Sequence, residues 1–170
     1  MAIIKSLEKE QVGEPAKSVY EGFEEQGKKV PEWVRVMAHN PKVVKEFSEL
    51  FKVIMNEGYI EPLLRWKIAY TVSQALKCPF CVDVTGKMLK SLGASDEILG
   101  KVKEGKGKTE KEEKVLKLVK QVTLKATCNP ELFKKLKEEF SEKELVEIVS
   151  IVGLFNYINR FNNAFCILPE

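Results

Sequence analysis

The sequence predicts an all-α fold, and three observations carry that prediction. Apolar residues recur at helical spacing along most of the chain. Helix-start and helix-stop signals punctuate it at short intervals. No segment sustains the period-two alternation that a half-buried strand requires.

The elements follow in order: helices are expected near 14–27, 32–38, 41–57, 61–77, 79–92, 95–102, 110–126, 130–139 and 142–164. Asn40-Pro41 and Asn129-Pro130 each set a capping side chain before a proline at the first helical position. Thr109 with Glu112, and Ser141 with Glu144, have capping-box spacing. Gly27, Gly58 and Gly93 stand where helices should end, because glycine takes the left-handed conformation that closes them. Val43, Val44, Phe47, Leu50, Phe51 and Ile54 make one apolar stripe. Leu64, Ile68, Val72, Ala75 and Leu76 make a second, and Val115, Leu116, Val119 and Val122 a third. Lys101 to Lys114, rich in Lys, Glu and Gly, reads as a solvated connector. The helices on either side of it are too few for separate cores, so residues 1–170 are expected to form one helical domain.

Composition narrows the function classes. Hydrophobic residues are 44% of 170, enough for a sizeable core. The net charge is +3, with both signs interspersed, so no basic face points to nucleic acid. The longest apolar stretch, Leu145 to Ile158, is interrupted by Glu147, Ser150 and Asn156, which excludes a spanning helix. The N-terminus lacks the apolar core of a signal peptide. These features predict a cytoplasmic protein, where thiols are mostly reduced and a close cysteine pair is catalytic or metal-binding rather than a staple. The segment from Leu145 to Ile158 is also apolar nearly all round, and Phe161 and Phe165 extend that character. A helix of this kind must be covered on every side, which predicts a homo-oligomer.

Few residues carry candidate chemistry. Gly105-Lys106-Gly107-Lys108-Thr109 resembles half a phosphate loop, but the full motif needs glycine at Val102 and a preceding strand. His39 is the only histidine. It would have to fold back onto the cysteines to form a dyad. Cys128 and Cys166 are isolated, whereas zinc sites bring close pairs together, so no metal and no cofactor is expected. Cys78-Pro79-Phe80-Cys81 is the informative motif. Pro79 favours a helix starting right after Cys78, which puts both sulfurs at the positive end of a helix dipole, where a thiolate is stabilised. A partner three residues away can close a disulfide. Two packed thiols is the plainer reading of the same pair.

Around that motif the chain resembles the alkylhydroperoxidase D / carboxymuconolactone decarboxylase family. The resemblance runs over Lys29-Val30-Pro31 to Ala38-His39-Asn40-Pro41, over Cys78-Pro79-Phe80-Cys81-Val82-Asp83, and over Leu145-Val146-Glu147 to Phe155-Asn156-Tyr157-Ile158-Asn159-Arg160-Phe161-Asn162. It implies an all-α bundle in a homo-oligomer, commonly a trimer or hexamer. It implies thiol-dependent reduction of a hydroperoxide or disulfide, with Cys81 as nucleophile and Cys78 as resolving thiol. Reducing equivalents would come from a thiol reductant or from a lipoyl or thioredoxin-like protein.

Peroxidase members also place a Glu twelve residues before the first Cys and a His four after the second. Here those positions are Trp66 and Thr85, and neither is a base near neutral pH. The Thr85 hydroxyl, one turn from Cys81, is expected to bond the sulfur. Asp83 points to another face. The resemblance therefore implies disulfide redox chemistry with weak peroxidase turnover. The alternatives are a carboxymuconolactone decarboxylase-like enzyme and a non-catalytic oligomeric scaffold, which a more apolar pocket at Trp66 would suit.

Overall fold

The computed structural model describes residues 2–169. Met1 and Glu170, the two ends of the expected domain, lie outside the described residues. Nine α-helices and no strand are present among them: α1 (Ala16–Glu25), α2 (Glu32–Met37), α3 (Pro41–Asn56), α4 (Pro62–Ala75), α5 (Pro79–Ser91), α6 (Asp96–Glu104), α7 (Glu110–Lys125), α8 (Pro130–Lys137) and α9 (Glu142–Ala164). A short 3₁₀ turn, Lys9–Gln11, precedes them and was not anticipated.

The expected ends hold because local chemistry sets them. Asn40, Ser95, Thr109, Asn129 and Ser141 each accept a first-turn amide, so the otherwise unpaired helix donors are satisfied. Ser141 and Glu144 close a reciprocal box. At Thr109 only half a box forms, because the Glu112 carboxylate turns to the Lys108 amide and to Lys67 instead. Gly105 (φ +87°) ends α6 and Thr109 starts α7, so the glycine-lysine run is a connector between helices and no strand feeds it.

Gly27 and Gly93 take positive φ as expected, but Gly58 does not. It is needed for another reason: a Cβ there would lie 1.9 Å from Glu147 Oε1. Glu147, from α9, accepts the amides of Tyr59 and Ile60 and lies 3.1 Å from Arg65 Nε. Arg65 also donates to the carbonyls of Met55, Gly58 and Ile60. This buried pair seals the α3–α4 loop against α9.

Helix α4 is the hub and packs on α3, α5, α6, α7 and α9. It buries eight of its fourteen residues, including Arg65 and Lys67, so it shows no amphipathic face. Most of the apolar circumference of α9 is covered within the chain: Leu145, Ile148, Ile151, Val152, Leu154, Phe155 and Ile158 are buried. Val146 and Val149 stay exposed. Phe161 and Phe165 do not form the exposed patch expected of them. Their rings lie 4.7 Å apart and pack over the cysteine cluster. No described helix is long and apolar enough to cross a membrane.

Candidate functional site

The site begins at the break between α4 and α5. Lys77 turns the chain with φ +52°, and the Cys78 amide donates to the Ser73 carbonyl at 3.3 Å. Cys78 then becomes the N-cap of α5, with Pro79 in its first turn. The Cys78 sulfur occupies the place of a capping oxygen and accepts the Cys81 amide at 3.4 Å. The motif therefore folds as expected, with both sulfurs at a helix start.

Both cysteines are free thiols, and their sulfurs lie 2.8 Å apart. The two thiol groups share a hydrogen bond. That hydrogen bond, helped by the backbone amides of Cys81 and Phe80, holds the Cys78 thiol below its ordinary value against the opposing effect of burial. The same hydrogen bond holds the proton on Cys81, and burial and the Cys78 charge push it further up. Cys78 is thus the easier of the two thiols to ionise, and Cys81 the harder.

Access runs the other way. Cys78 is fully enclosed, while Cys81 lines a cavity of about 220 Å³. Six helices build its wall. Phe23 comes from α1, Trp33 from α2, Ser48 and Phe51 from α3 and Trp66 from α4. Phe80, Val84 and Thr85 come from α5, and Phe155, Ile158 and Asn162 from α9. Trp66 meets Phe155 edge-on at 6.2 Å and lies 6.5 Å from Phe51, so the position expected to lack a base is part of an aromatic wall.

Thr85 is buried in that wall, but its hydroxyl donates to the Cys81 carbonyl oxygen at 2.6 Å and not to the sulfur. A helical threonine reaches the carbonyl one turn back more readily than a side chain pointing away from it. The sulfur's outside partner is Asn162, whose Nδ2 donates to Cys81 Sγ at 3.3 Å. Sequence reasoning missed Asn162 as a site residue, although it closes the third stretch of resemblance. Asp83 pairs with Lys87 at 2.6 Å on the outer side of α5. His39 is not in the cavity wall; its Nε2 meets the Lys5 carbonyl at 2.9 Å. Cys128 is half-buried and Cys166 exposed, and no cluster of metal-ligating side chains occurs among the described residues.

Comparison with known proteins gives a consistent set. No family model matches the chain. A stretch of 122 residues, 65% of this chain and 67% of the relative, is 26% identical to the uncharacterized protein YnjA of Escherichia coli K12. Among solved structures, an uncharacterized peroxidase-related protein from Ralstonia eutropha JMP134 with an alkylhydroperoxidase AhpD core superposes with a TM-score of 0.86 at 20% identity, covering 99% of this chain and 92% of that one. The debrominase Bmp8 superposes with a TM-score of 0.84 at 24% identity over 99% and 92%. A protein of unknown function from Agrobacterium tumefaciens matches with a TM-score of 0.73 at 26% identity over 79% and 94%.

Proposed function

The chain has the alkylhydroperoxidase D-like fold, and from that premise we propose that it is a thiol-dependent redox protein in which Cys78 and Cys81 cycle between dithiol and disulfide. One observation carries the reading: two sulfurs 2.8 Å apart at a helix start, one of them opening on an apolar cavity. Closing from that distance to a bond of about 2.05 Å needs no rearrangement of the backbone.

The proposed cycle uses accessibility to assign roles. In the singly ionised pair, transfer of the remaining proton from Cys81 to Cys78 makes Cys81 the thiolate. It attacks the terminal oxygen of a hydroperoxide, the O–O bond breaks, and the alkoxide leaves with a proton as alcohol. Cys78 then attacks the resulting sulfenic acid, and hydroxide departs, taking a proton from solvent, as water. One hydroperoxide is reduced to alcohol and water, and the dithiol is oxidised to the disulfide. An external dithiol, such as a lipoyl or thioredoxin-like protein, restores the pair. With a disulfide as substrate, Cys81 forms a mixed disulfide that Cys78 resolves.

The mostly apolar wall favours an organic hydroperoxide or disulfide over hydrogen peroxide. Trp66 and Thr85 supply no base, so Cys78 is the proton acceptor and turnover is modest. Thr85 takes part by fixing the Cys81 backbone. Exposed Val146 and Val149 on α9 fit association into a homo-oligomer.

Mass mapping of the protein after one equivalent of cumene hydroperoxide tests the reading. A single Cys78–Cys81 bridge is expected, absent in Cys81→Ser, which leaves Cys78 reduced. A dominant bridge to Cys128 or Cys166 would overturn it. Light scattering should return a mass above one chain, and a stable monomer would remove the oligomer from the proposal.

A further inference from the structure

Two buried side-chain oxygens in the cavity wall, Ser48 Oγ and Asn162 Oδ1, have no hydrogen-bond partner among the described residues. Such an atom carries a desolvation penalty until something pairs it. Asn162 is the more informative. It is wholly buried, and its Nδ2 is committed to Cys81 Sγ at 3.3 Å. That bond fixes which end of the amide faces the sulfur and leaves Oδ1, which can only accept. The one other hydroxyl in the wall, on Thr85, is spent on the Cys81 carbonyl. The wall of this cavity is therefore aromatic and aliphatic on most sides, with a single unpaired pure acceptor, itself buried, on the residue that holds the reacting sulfur.

We propose that Asn162 positions ligand and sulfur together: Nδ2 holds Cys81 Sγ while Oδ1 accepts a hydrogen bond from an O–H or N–H group of an apolar organic ligand. The inference rests on Cys81 being the reacting sulfur. It makes Asn162 a selectivity residue, which admits molecules with a donor beside their reacting atom and disfavours equally apolar molecules in which that donor is capped. A hydroperoxide with a free terminal O–H belongs to the first kind and a dialkyl peroxide to the second. Ser48, across the cavity on α3, can donate or accept and adds no sign of its own.

The test uses the intact protein and two unreactive probes, cyclohexanol and its methyl ether, which share a ring and differ in the donor. Trp33 and Trp66, the only tryptophans in the chain, both line the cavity, so their fluorescence reports occupancy. The ratio of alcohol to ether affinity should fall about fivefold in Asn162→Leu, the net value of one neutral hydrogen bond. An unchanged ratio overturns the proposal. If Asn162→Leu does not fold, nuclear magnetic resonance of the wild-type protein decides: the Asn162 side-chain amide signal should shift with the alcohol and not with the ether, and equal responses overturn it. Peroxide-driven bridging of Cys78 and Cys81 is read separately. A protein that never forms the bridge but keeps its Asn162-dependent ratio would lose the redox function and keep this ligand site. One that bridges with a ratio indifferent to Asn162 would do the reverse.

Discussion

Helix α9 carries a buried polar side chain near each end, and the two are treated in opposite ways. At its start, Glu147 is charge-paired: two backbone amides donate to one oxygen, and the other, without a hydrogen bond of its own, lies 3.1 Å from an arginine that itself donates to three carbonyls. At its end, Asn162 is half used: its amide meets a sulfur, and its carbonyl oxygen faces no partner. A charge-paired network that lines no cavity fixes one geometry. An unsaturated one lowers stability and keeps binding capacity in reserve. The two side chains differ in charge pairing and in whether they line the cavity, not in depth.

The comparison breaks most sharply at Glu147. Replacing it with Leu strands Arg65 without its counter-charge and should lower stability by about 3 kcal/mol or more in urea denaturation. The alkylation rate of Cys81 in the folded protein should stay at its wild-type value. A matched loss of thiol reactivity would mean that the two ends of α9 are coupled.

A smaller effect is expected from restoring the relay. Thr85→His with Trp66→Glu should raise hydroperoxide turnover by roughly 10- to 100-fold, since a positioned base contributes about 10² or more. The same pair of changes should cost stability, because Trp66 is part of the aromatic wall and Thr85 is buried. Wild-type turnover already at the level of the double variant would show that another base serves Cys81.

The smallest and most diagnostic effect is in pH. The Cys78 thiol is held below its ordinary 9.0, so Cys78 should ionise at pH values where a free cysteine is still protonated. The sign for stability follows. As pH rises toward 9, the unfolded chain still holds the Cys78 proton that the folded protein has released, so stability rises with pH. Above 9, the folded protein keeps the Cys81 proton that the unfolded chain gives up, so stability falls. The difference in stability between wild type and Cys78→Ser/Cys81→Ser should therefore peak near pH 9, and a flat difference would remove the opposed shifts of the two thiols from the account.

How much was legible depends on the range of the forces involved. Helix ends at Asn40, Thr109, Asn129 and Ser141 were readable because a cap acts within four residues. The placement of Cys78 and Cys81 at a helix start was readable for the same reason, since Pro79 begins that helix. Trp66 and Thr85 could be seen to lack a base from identity alone. Gly58 was placed correctly and explained wrongly, because its reason is a carboxylate 89 positions further along the chain. Thr85 was expected on the sulfur and went to the carbonyl, a choice of rotamer that spacing does not reveal.

What the sequence determined by itself was therefore local: nine helices, their boundaries, and a cysteine pair at a helix start with no base beside it. What only the tertiary structure decided was the surroundings of that pair. Trp33, Phe51, Trp66 and Phe155 form one wall because α2, α3, α4 and α9 converge there, and Asn162 reaches Cys81 from 81 residues away. Caps and prolines are satisfied within a turn, whereas a cavity and its one unpaired acceptor exist only after long-range burial has brought distant helix faces together.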